Sequence, residues 1–432
     1  MKTWYSLGAL AAMAGAIQAQ QPSRATGRRV EGDSLVLSRS SAIARALQTN
    51  PQLEVARQQL LQSRARKVTA LKLPDPALTT SYEDQPGPLQ FGKAGAKNVG
   101  IEFGVPFPDK LRLQGSIASA DIRSSDFRFT QAKQQVAADA SRAYDALLAS
   151  RRRARDLAEG RALADSVVQK AQVRFNAGTV ARLDVIKARV DLAQADNDLI
   201  ANSREIVAAE AALNRLLGTA LGTRLMQADS LEVPLDVPPL VDLEAAALVS
   251  RPDLGDLTAQ REGARANTHL LKEYWLPDFV LGATRDYAQS GSPGYTAGFG
   301  ISLPLFFWQH TRGDVAESQH RELELAAAFD DARAAVGQGV REAFATAESA
   351  LRQAIFIRDE LLPSAREAFR VASVAYTLGG ASALEVLDAR RTLLDAQMQY
   401  SDALANANSA RSDLELAVGR PLDSFRPGGS RE

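Results

Sequence analysis

Several residue types are absent or scarce in this chain of 432 residues, and each absence narrows its chemistry. There is no cysteine, which excludes disulfides, thiolate metal sites and an N-terminal cysteine that carries lipid. Only three histidines occur, His269, His310 and His320, and none has a second ligand at metal-binding spacing. We therefore predict no metal site. The 51 basic residues are matched by 51 acidic ones, which argues against nucleic acid as a partner.

A long uncharged apolar run is missing as well. A helix that spans a membrane needs about 20 apolar residues, and no stretch of the chain reaches that length without a charge. Lys2, the apolar stretch 7–17 and Gln18-Ala19-Gln20 have the order of a secretory signal. We predict that residues 1–19 are a signal peptide. No phosphate-binding glycine loop and no nucleophile–base pair is evident, so neither a cofactor nor an enzyme activity is expected.

The chain contains the same unit twice. Residues 175–189 align without gaps with 376–390, and Gly178 corresponds to Gly379, an offset of 379 minus 178, or 201 residues. The same offset relates Leu217-Gly218 to Val418-Gly419. Internal repeats override chain length as a guide to domain number. We predict a first structural repeat at 34–218, a connector at 219–241, a second repeat at 242–419 and a polar tail at 420–432.

Each repeat is predicted to contain one β-hairpin. In 98–105 and again in 295–303, apolar residues alternate with polar residues and glycines, the period of a strand with one apolar face. Partner strands precede them, joined by turns that contain proline and glycine. The hairpins are placed at 76–106 and 278–305, each after a first helical segment that ends at Leu-Pro-Asp.

Long helices dominate the rest of each repeat. Apolar residues recur at three-four spacing after each hairpin, and no proline occurs from Ser116 to Phe175. That segment alone would extend roughly 90 Å at about 1.5 Å per residue. The chain reverses at Gly178 and Gly379, so each repeat closes with a long antiparallel helical hairpin, with tips at 176–182 and 377–383. The fold class is mainly α with a pair of β-hairpins.

Four strands cannot close a membrane sheet by themselves. Bacterial barrels have at least about eight strands, and open sheet edges are not tolerated in lipid. Closure would require several copies of the chain. The alternative is a soluble four-stranded sheet that caps a helical rod, but the apolar strand faces and the predicted export favour a membrane.

A family resemblance rests on these features. The duplicated order, the glycine turns followed by Leu-Asp-Val at 183–185 and Leu-Glu-Val-Leu-Asp at 384–388, and Ser-Leu-Pro-Leu at 302–305 resemble the TolC family of outer-membrane efflux proteins. The resemblance covers nearly all of the mature chain. It implies a homotrimer in outer-membrane lipid, with a twelve-stranded barrel continued through the periplasm by a tunnel of twelve helices. It also implies a periplasmic adaptor and an inner-membrane pump as partners.

The protein would then be the passive exit duct of a tripartite efflux or type I secretion system. The competing hypothesis is a periplasmic helical-hairpin adaptor or structural rod, which would show one hairpin flanked by soluble β domains. The substrate is open between drug, heavy metal and secreted protein. Leu-Pro-Asp-Pro at 73–76 and Phe-Phe-Trp at 306–308 resemble the heavy-metal-exporting branch of the family.

The resemblance also assigns roles to the hairpin tips. The glycines cap the helices, and the adaptor would contact the residues around them: Ala177, Gly178, Thr179, Leu378, Gly379 and Gly380. Glu385 and Asp388 lie one helical turn apart, and in a trimer they would form rings of carboxylates at the tunnel mouth. Glu385 is equally well explained as the capping-box partner of Ser382.

Asp184 is the counterpart of Glu385 in the first repeat and the third candidate gate residue. It would take part in bonds that hold the two hairpins together. In some relatives an arginine just after the second glycine turn makes such a bond, but Gly380 and Ala381 stand there in this chain. Arg182 or Arg390 is then the candidate replacement.

Overall fold

A computed structural model describes residues 35–83, 96–234, 237–288, 294–305 and 307–425. The predicted signal peptide, the hairpin turns around 86–88 and 291–293 and the last part of the polar tail lie outside the described residues. The helices are α1 (Arg39–Thr49), α2 (Pro51–Ala70), α3 (Pro108–Asn176), α4 (Arg182–Leu216), α5 (Leu240–Ser250), α6 (Pro252–Lys272), α7 (Phe307–Phe356), α8 (Leu362–Leu378) and α9 (Ala383–Val418). The strands are β1 (Leu35–Leu37), β2 (Ala77–Glu83), β3 (Ala96–Val105), β4 (Leu225–Gln227), β5 (Asp278–Ala288) and β6 (Gly294–Ser302).

The first helical segment of each repeat is two helices rather than the one that was predicted. Pro51 and Pro252 each occupy the first turn of a new helix, α2 and α6. Proline lacks the N–H that a continuing helix would use and disfavours helical geometry in the residue before it. Asn50 and Arg251 accordingly adopt extended backbone angles and separate α1 from α2 and α5 from α6.

The two predicted β-hairpins form one antiparallel sheet. Its strand order is β2-β3-β5-β6, so β3 of the first hairpin pairs with β5 of the second along their length. The predicted strands agree with the observed ones to within about two residues at each end. In the described chain, β2 and β6 each have one edge without a partner strand.

The sheet has two chemically different faces. One, called the apolar face, carries the exposed side chains of Leu78, Val99, Ile101, Leu281, Phe299 and Ile301. The other, called the polar face, carries glycines, threonines and the carboxylates of Glu83, Glu102, Asp278 and Asp286. The alternation follows from the period of two along a strand.

Helix α3 is a single helix of 69 residues, or about 100 Å at 1.5 Å per residue. Its counterpart in the second repeat is not one continuous α-helix. A π-helical turn at Ile357–Leu361 separates α7 from α8, and Pro363 lies in the first turn of α8. None of the described helices is both long and apolar enough to cross a membrane.

Polar contacts join α3 to the second hairpin along much of its length. Ser141 contacts Ser412 at 3.0 Å, Ser401 donates to Asp156 at 2.7 Å, and Gln397 donates to Glu159 at 3.3 Å. Between them, small and branched apolar residues pack, among them Val136, Ala140, Leu147, Leu404 and Leu414. Alanine at many of these positions allows close approach of the helices.

The connector between the repeats contains structure that the sequence did not reveal. Strand β4 pairs in parallel with β1, and the predicted connector at 219–241 already includes the start of α5. Beside this small sheet, Arg39 donates to Ser141 and Ser412 at 2.8 and 2.9 Å and forms an ion pair with the buried Asp145 at 3.0 Å. The cluster ties α1, α3 and α9 together halfway along the molecule.

Candidate functional site

The end of the first helical hairpin is built by a glycine C-cap. Gly178 has a φ of 73°, the left-handed conformation that glycine adopts without a side-chain clash. Thr179 N–H donates to the carbonyl of Arg174 at 3.0 Å, and Gly178 N–H donates to that of Phe175 at 2.9 Å. These bonds satisfy carbonyls that α3 leaves open at its end. Nothing lies within 4 Å of a Cβ built on Gly178, so backbone conformation alone requires glycine there.

The second hairpin end repeats this geometry and adds a side-chain cap. Gly379 has a φ of 87°, and Gly380 N–H donates to the carbonyl of Ala375 at 2.8 Å. Helix α9 then begins with a capping box, in which Glu385 N–H donates to the Ser382 hydroxyl and Ser382 N–H donates to the Glu385 carboxylate, both at 3.3 Å. The capping interpretation of Glu385 is therefore confirmed, and it does not preclude a second role for an exposed carboxylate.

Arg174 joins the two hairpin ends. It donates a hydrogen bond to the backbone carbonyl of Tyr376 at 2.7 Å, and its guanidinium lies 4.6 Å from the centre of the Tyr376 ring. One turn before it, Lys170 donates to the hydroxyl of Ser373 at 3.0 Å. Tyr376 is fully buried in a cluster with Val167, Ala171, Val185 and Val386 of both hairpins.

Two charges act on the Tyr376 hydroxyl at this joint. Burial raises the pKa of Tyr376, the Arg174 charge lowers it, and the Asp184 charge raises it again. Asp184, which is half-buried in the first turn of α4, thus lies within electrostatic range of a second-hairpin residue.

A buried ion pair lies about two turns above the tips. Arg390 of α9 donates to the Asp191 carboxylate of α4 at 2.7 Å and to the carbonyl of Gly160 in α3 at 3.2 Å. The side chains of Arg390 and Asp191 are 3% and 1% exposed. Arg391 approaches the same carboxylate only at 3.4 Å and is 62% exposed. Removing one member of such a pair leaves an uncompensated buried charge.

The expectation that Arg390 or Arg182 would pair with Asp184 is corrected by these contacts. Arg390 lies between the hairpins, but its carboxylate is Asp191. Asp184 is seven residues nearer the start of α4, or about 10 Å along the helix axis, so it is too low to meet Arg390. Arg182 is exposed, and no ion pair joins it to another described residue.

The other predicted site residues lie on the surface of the tips. Ala177, Gly178 and Thr179 are exposed, as are Leu378, Gly379 and Gly380. Asp388 is exposed as well, one turn beyond Glu385, and its carboxylate makes no hydrogen bond or ion pair within the described ranges. The structure thus brings the two tips side by side and leaves both acids open to solvent. No cluster of three metal-binding side chains occurs in the part of the chain that the structure describes.

A family model matches most of the chain. The model of the outer membrane efflux proteins matches residues 42–219 and again residues 243–420. The chain belongs to this family. The resemblance to TolC is confirmed, and this efflux protein is a subunit of an outer-membrane efflux channel.

Two relatives illustrate the range of similarity. The cobalt-zinc-cadmium resistance protein CzcC of Cupriavidus metallidurans is 24% identical over 387 residues, which cover 89% of this chain and 90% of that protein. The toluene efflux pump outer membrane protein TtgI of Pseudomonas putida is 27% identical over 242 residues, 54% of this chain and 51% of its own. The match to TtgI therefore spans only about half of each chain.

Solved structures show the same fold. A crystal structure of CusC superposes with a TM-score of 0.75 at 18% identity and covers 88% of this chain and 92% of that one. The outer membrane protein VceC of Vibrio cholerae superposes with a TM-score of 0.74, also at 18% identity, over 89% and 96% of the two chains. These likenesses establish the fold of the efflux protein.

Sequence reasoning missed Arg174 and Asp191 as groups that join the hairpins, and it named Arg390 only as a candidate partner of Asp184. A signal for two of them is present in the pattern. Val185, Ala188 and Ala195 form the buried stripe of α4, and Asp191 occupies a position of that stripe. Arg390 does the same in α9. A charge at a buried position of an apolar repeat predicts a paired partner, because an unpaired charge there is costly.

Proposed function

We propose that three copies of this chain form a passive exit duct through the outer membrane and the periplasm. The observation that carries this proposal is the sheet, whose strands β2 and β6 each have an open edge in one chain while its apolar face is exposed. Lipid does not tolerate unpaired backbone groups. Pairing of β6 in one copy with β2 in the next closes the sheet, and three chains of four strands give twelve, within the range of bacterial barrels.

The helical hairpins would extend from this barrel into the periplasm and end in the tips described above. We propose that the tips close the duct until a periplasmic adaptor, which links the duct to an inner-membrane pump, docks on the exposed residues around Gly178 and Gly379. Energy would come from the pump. Glu385 and Asp388 are exposed on α9 and would form rings of negative charge where the three second hairpins meet, while Asp184 would contribute from the first.

The purified protein tests this function directly. We expect a detergent-soluble species of three chains by light scattering, and ion conductance after insertion into a planar bilayer. A monomer that is soluble without detergent would contradict the proposal and favour the alternative, a periplasmic adaptor or structural rod.

For the cargo, we propose divalent metal cations. The relative matched along nearly the whole of both chains is named for cobalt, zinc and cadmium resistance, whereas the toluene pump protein is matched over about half. Disruption of the gene is expected to lower the tolerated concentration of zinc, cobalt or cadmium and to leave toluene tolerance unchanged. The opposite pattern would assign the duct to a solvent pump.

A further inference from the structure

The charged residues of the sheet are sorted by sign between its two faces. All four carboxylates in the strands, those of Glu83, Glu102, Asp278 and Asp286, lie on the polar face. Both cations, Lys97 and Arg285, lie on the apolar face. A cation on a face whose other side chains are uncharged and mainly apolar is costly in contact with lipid chains. The positions of Lys97 and Arg285 along the strands are therefore informative.

Both cations lie at the end of the sheet that is farthest from the helices. Lys97 pairs in register with Tyr287 and Tyr82, and two residues nearer the helices Arg285 pairs with Val99 and Tyr295. From the row of Phe279 to the row of Arg285 the strands rise about 20 Å, and every side chain of the apolar face in between is uncharged. The cations thus mark the outer boundary of an apolar band of about the height that lipid chains require.

Arg285 is held in place by aromatic rings. Its guanidinium lies 5.0 Å from the ring centre of Tyr287 and 5.4 Å from that of Tyr295. No carboxylate pairs with Arg285 or Lys97 among the residues that the structure describes. The two side chains are diagonal neighbours on adjacent strands, with Cβ atoms about 7–8 Å apart, and long side chains at that separation can converge on one anion.

Neighbouring copies of the chain cannot supply that anion. Lys97 is on β3 and Arg285 on β5, the two central strands of the sheet, whereas a partner copy would pair with β2 or β6 at its edges. In the proposed duct, the apolar face is turned towards lipid.

We propose that Lys97 and Arg285, framed by Tyr287 and Tyr295, form a binding site for the phosphate headgroup of an anionic lipid in the outer leaflet. The site rests on the proposed function, since it requires the sheet to lie in the membrane with its far end at the cell exterior. The guanidinium supplies a planar pair of donors for phosphate oxygens, and the ammonium supplies a second positive charge. Each cation near an anionic surface contributes about fivefold in affinity.

The test compares lipids that differ only in phosphate. The full-length protein in nanodiscs is titrated with a bis-phosphorylated lipid A glycolipid and with the same glycolipid after removal of its phosphates, and the bound lipid is counted by native mass spectrometry. We expect binding of the phosphorylated form, weakened about 25-fold in K97Q/R285Q. The matched control R204Q/R215Q removes two exposed arginines of α4 and is expected to bind as the wild type does.

Three results would overturn the site: equal affinity in K97Q/R285Q and the wild type, equal affinity for the dephosphorylated glycolipid, or displacement of the lipid by an equal concentration of inorganic phosphate. Arg285→Lys keeps the charge but loses the planar fork, so an intermediate affinity is expected. Conductance of the same nanodisc preparation, measured after transfer to a bilayer, separates the hypothesis of the lipid site from that of the duct. A conducting protein without lipid discrimination contradicts only the lipid site, whereas a protein that does not conduct contradicts the duct.

Discussion

Arg390 and Asp191 form a buried ion pair between the two hairpins. Removing either residue is expected to destabilise the contact between the hairpins, because the other charge stays buried without its partner. Asp191→Asn or Arg390→Met leaves one buried charge without its partner, which costs about 3–5 kcal/mol. Hydrogen exchange of the amides in 185–195 and 386–396 is expected to accelerate accordingly, because the local opening free energy falls by that amount.

Arg391 provides the matched control for this pair. It approaches the same carboxylate at 3.4 Å but is 62% exposed, and an exposed pair contributes at most about 1 kcal/mol. Arg391→Met is therefore expected to change exchange at the joint only slightly. If Arg390→Met and Arg391→Met accelerate exchange equally, the buried bridge is not what holds the hairpins.

Glu385 and Asp388 make the second residue-scale prediction. In E385A/D388A, conductance in a planar bilayer is expected to rise and block by multivalent cations to weaken, because the proposed rings of carboxylates at the tunnel mouth would be removed. D330A/D331A removes two exposed acids of α7 and serves as the control. Conductance that is unchanged in E385A/D388A would leave Glu385 with its helix cap alone.

Asp145 gives the joint of α1, α3 and α9 a dependence on pH. Burial raises the pKa of Asp145 to about 6, against the opposing charges of Arg39 and Arg411, while Glu415 and Asp229 add to the rise. Because the folded pKa exceeds the unfolded value of 3.8, the folded state binds more protons between pH 4 and 6. Protonated Asp145 therefore adds to the free energy of unfolding. This contribution is fully present below about pH 4 and is lost as the pH rises through about 6, a loss of at most about 3 kcal/mol.

The measurement is the slope of the melting temperature between pH 4 and 7. Asp145→Asn cannot titrate, so its melting temperature is expected to fall less over this range than that of the wild type. Asp126→Asn, an exposed position on the same helix, is expected to keep the wild-type slope. Parallel slopes for Asp145→Asn and the wild type would show that Asp145 does not titrate in this window.

At the scale of elements, the π-helical turn distinguishes the two hairpins. Pro363 lies in the first turn of α8, next to the π turn, where the pattern of helical hydrogen bonds already changes. Its counterpart 201 residues earlier, Ala162, is an exposed interior residue of α3. Ala162→Pro is expected to destabilise the first hairpin by about 3 kcal/mol or more. Pro363→Ala is expected to cost no more than about 1 kcal/mol. Denaturant unfolding of both variants checks this, and comparable losses would mean that the two positions are equivalent.

The helices and strands also show which elements could be predicted from sequence periodicity. The strands of the sheet and both glycine caps were predicted to within about two residues, because a period of two and a left-handed cap are set by local chemistry. The interruption at Ile357–Leu361 was missed, because the chain stays helical on both sides of it and the change lies in the backbone hydrogen bonds, which side-chain periodicity does not record. Strands β1 and β4 were missed for another reason. Each has three residues, and they pair over a separation of 190 positions, which no local pattern records.

At the scale of the whole molecule, the open edges of the sheet predict contacts between copies. The chain has no cysteine, so any disulfide that forms in a variant must join the introduced cysteines. Thr80→Cys on β2, combined in turn with cysteine at Tyr295, Ala297 or Phe299 on β6, is expected to give a covalent trimer in at least one combination under oxidation. The measurement is the ladder of cross-linked species on a denaturing gel without reductant.

Ile101 and Ala283 provide the control pair, because they face each other in register within one chain. Cysteines at both positions are expected to form a bond inside the chain and to migrate as a monomer. Absence of intermolecular bonds in every β2–β6 combination would contradict closure of the sheet by neighbouring copies.

Only part of the candidate site could be predicted from the sequence. The tips and the exposed acids follow from two glycine turns and a capping box, which are local. Arg174 over Tyr376 and Arg390 with Asp191 depend on how one hairpin lies against the other. The sequence analysis placed Arg390 correctly between the hairpins but predicted Asp184 as its partner. The actual partner, Asp191, depends on how far α4 and α9 are shifted along their axes, and packing rather than local sequence sets that shift.

The uninterrupted α3 and the broken path from α7 to α8 have a mechanical consequence. A load on the first tip is expected to travel along one hydrogen-bonded column of 69 residues as far as the membrane sheet. A load on the second tip reaches the π turn, which contains no buried residue, only 17 residues away, and bending there is expected to absorb it. An adaptor that displaces the second hairpin would thus open the periplasmic entrance while the seal against lipid at the other end stays undisturbed.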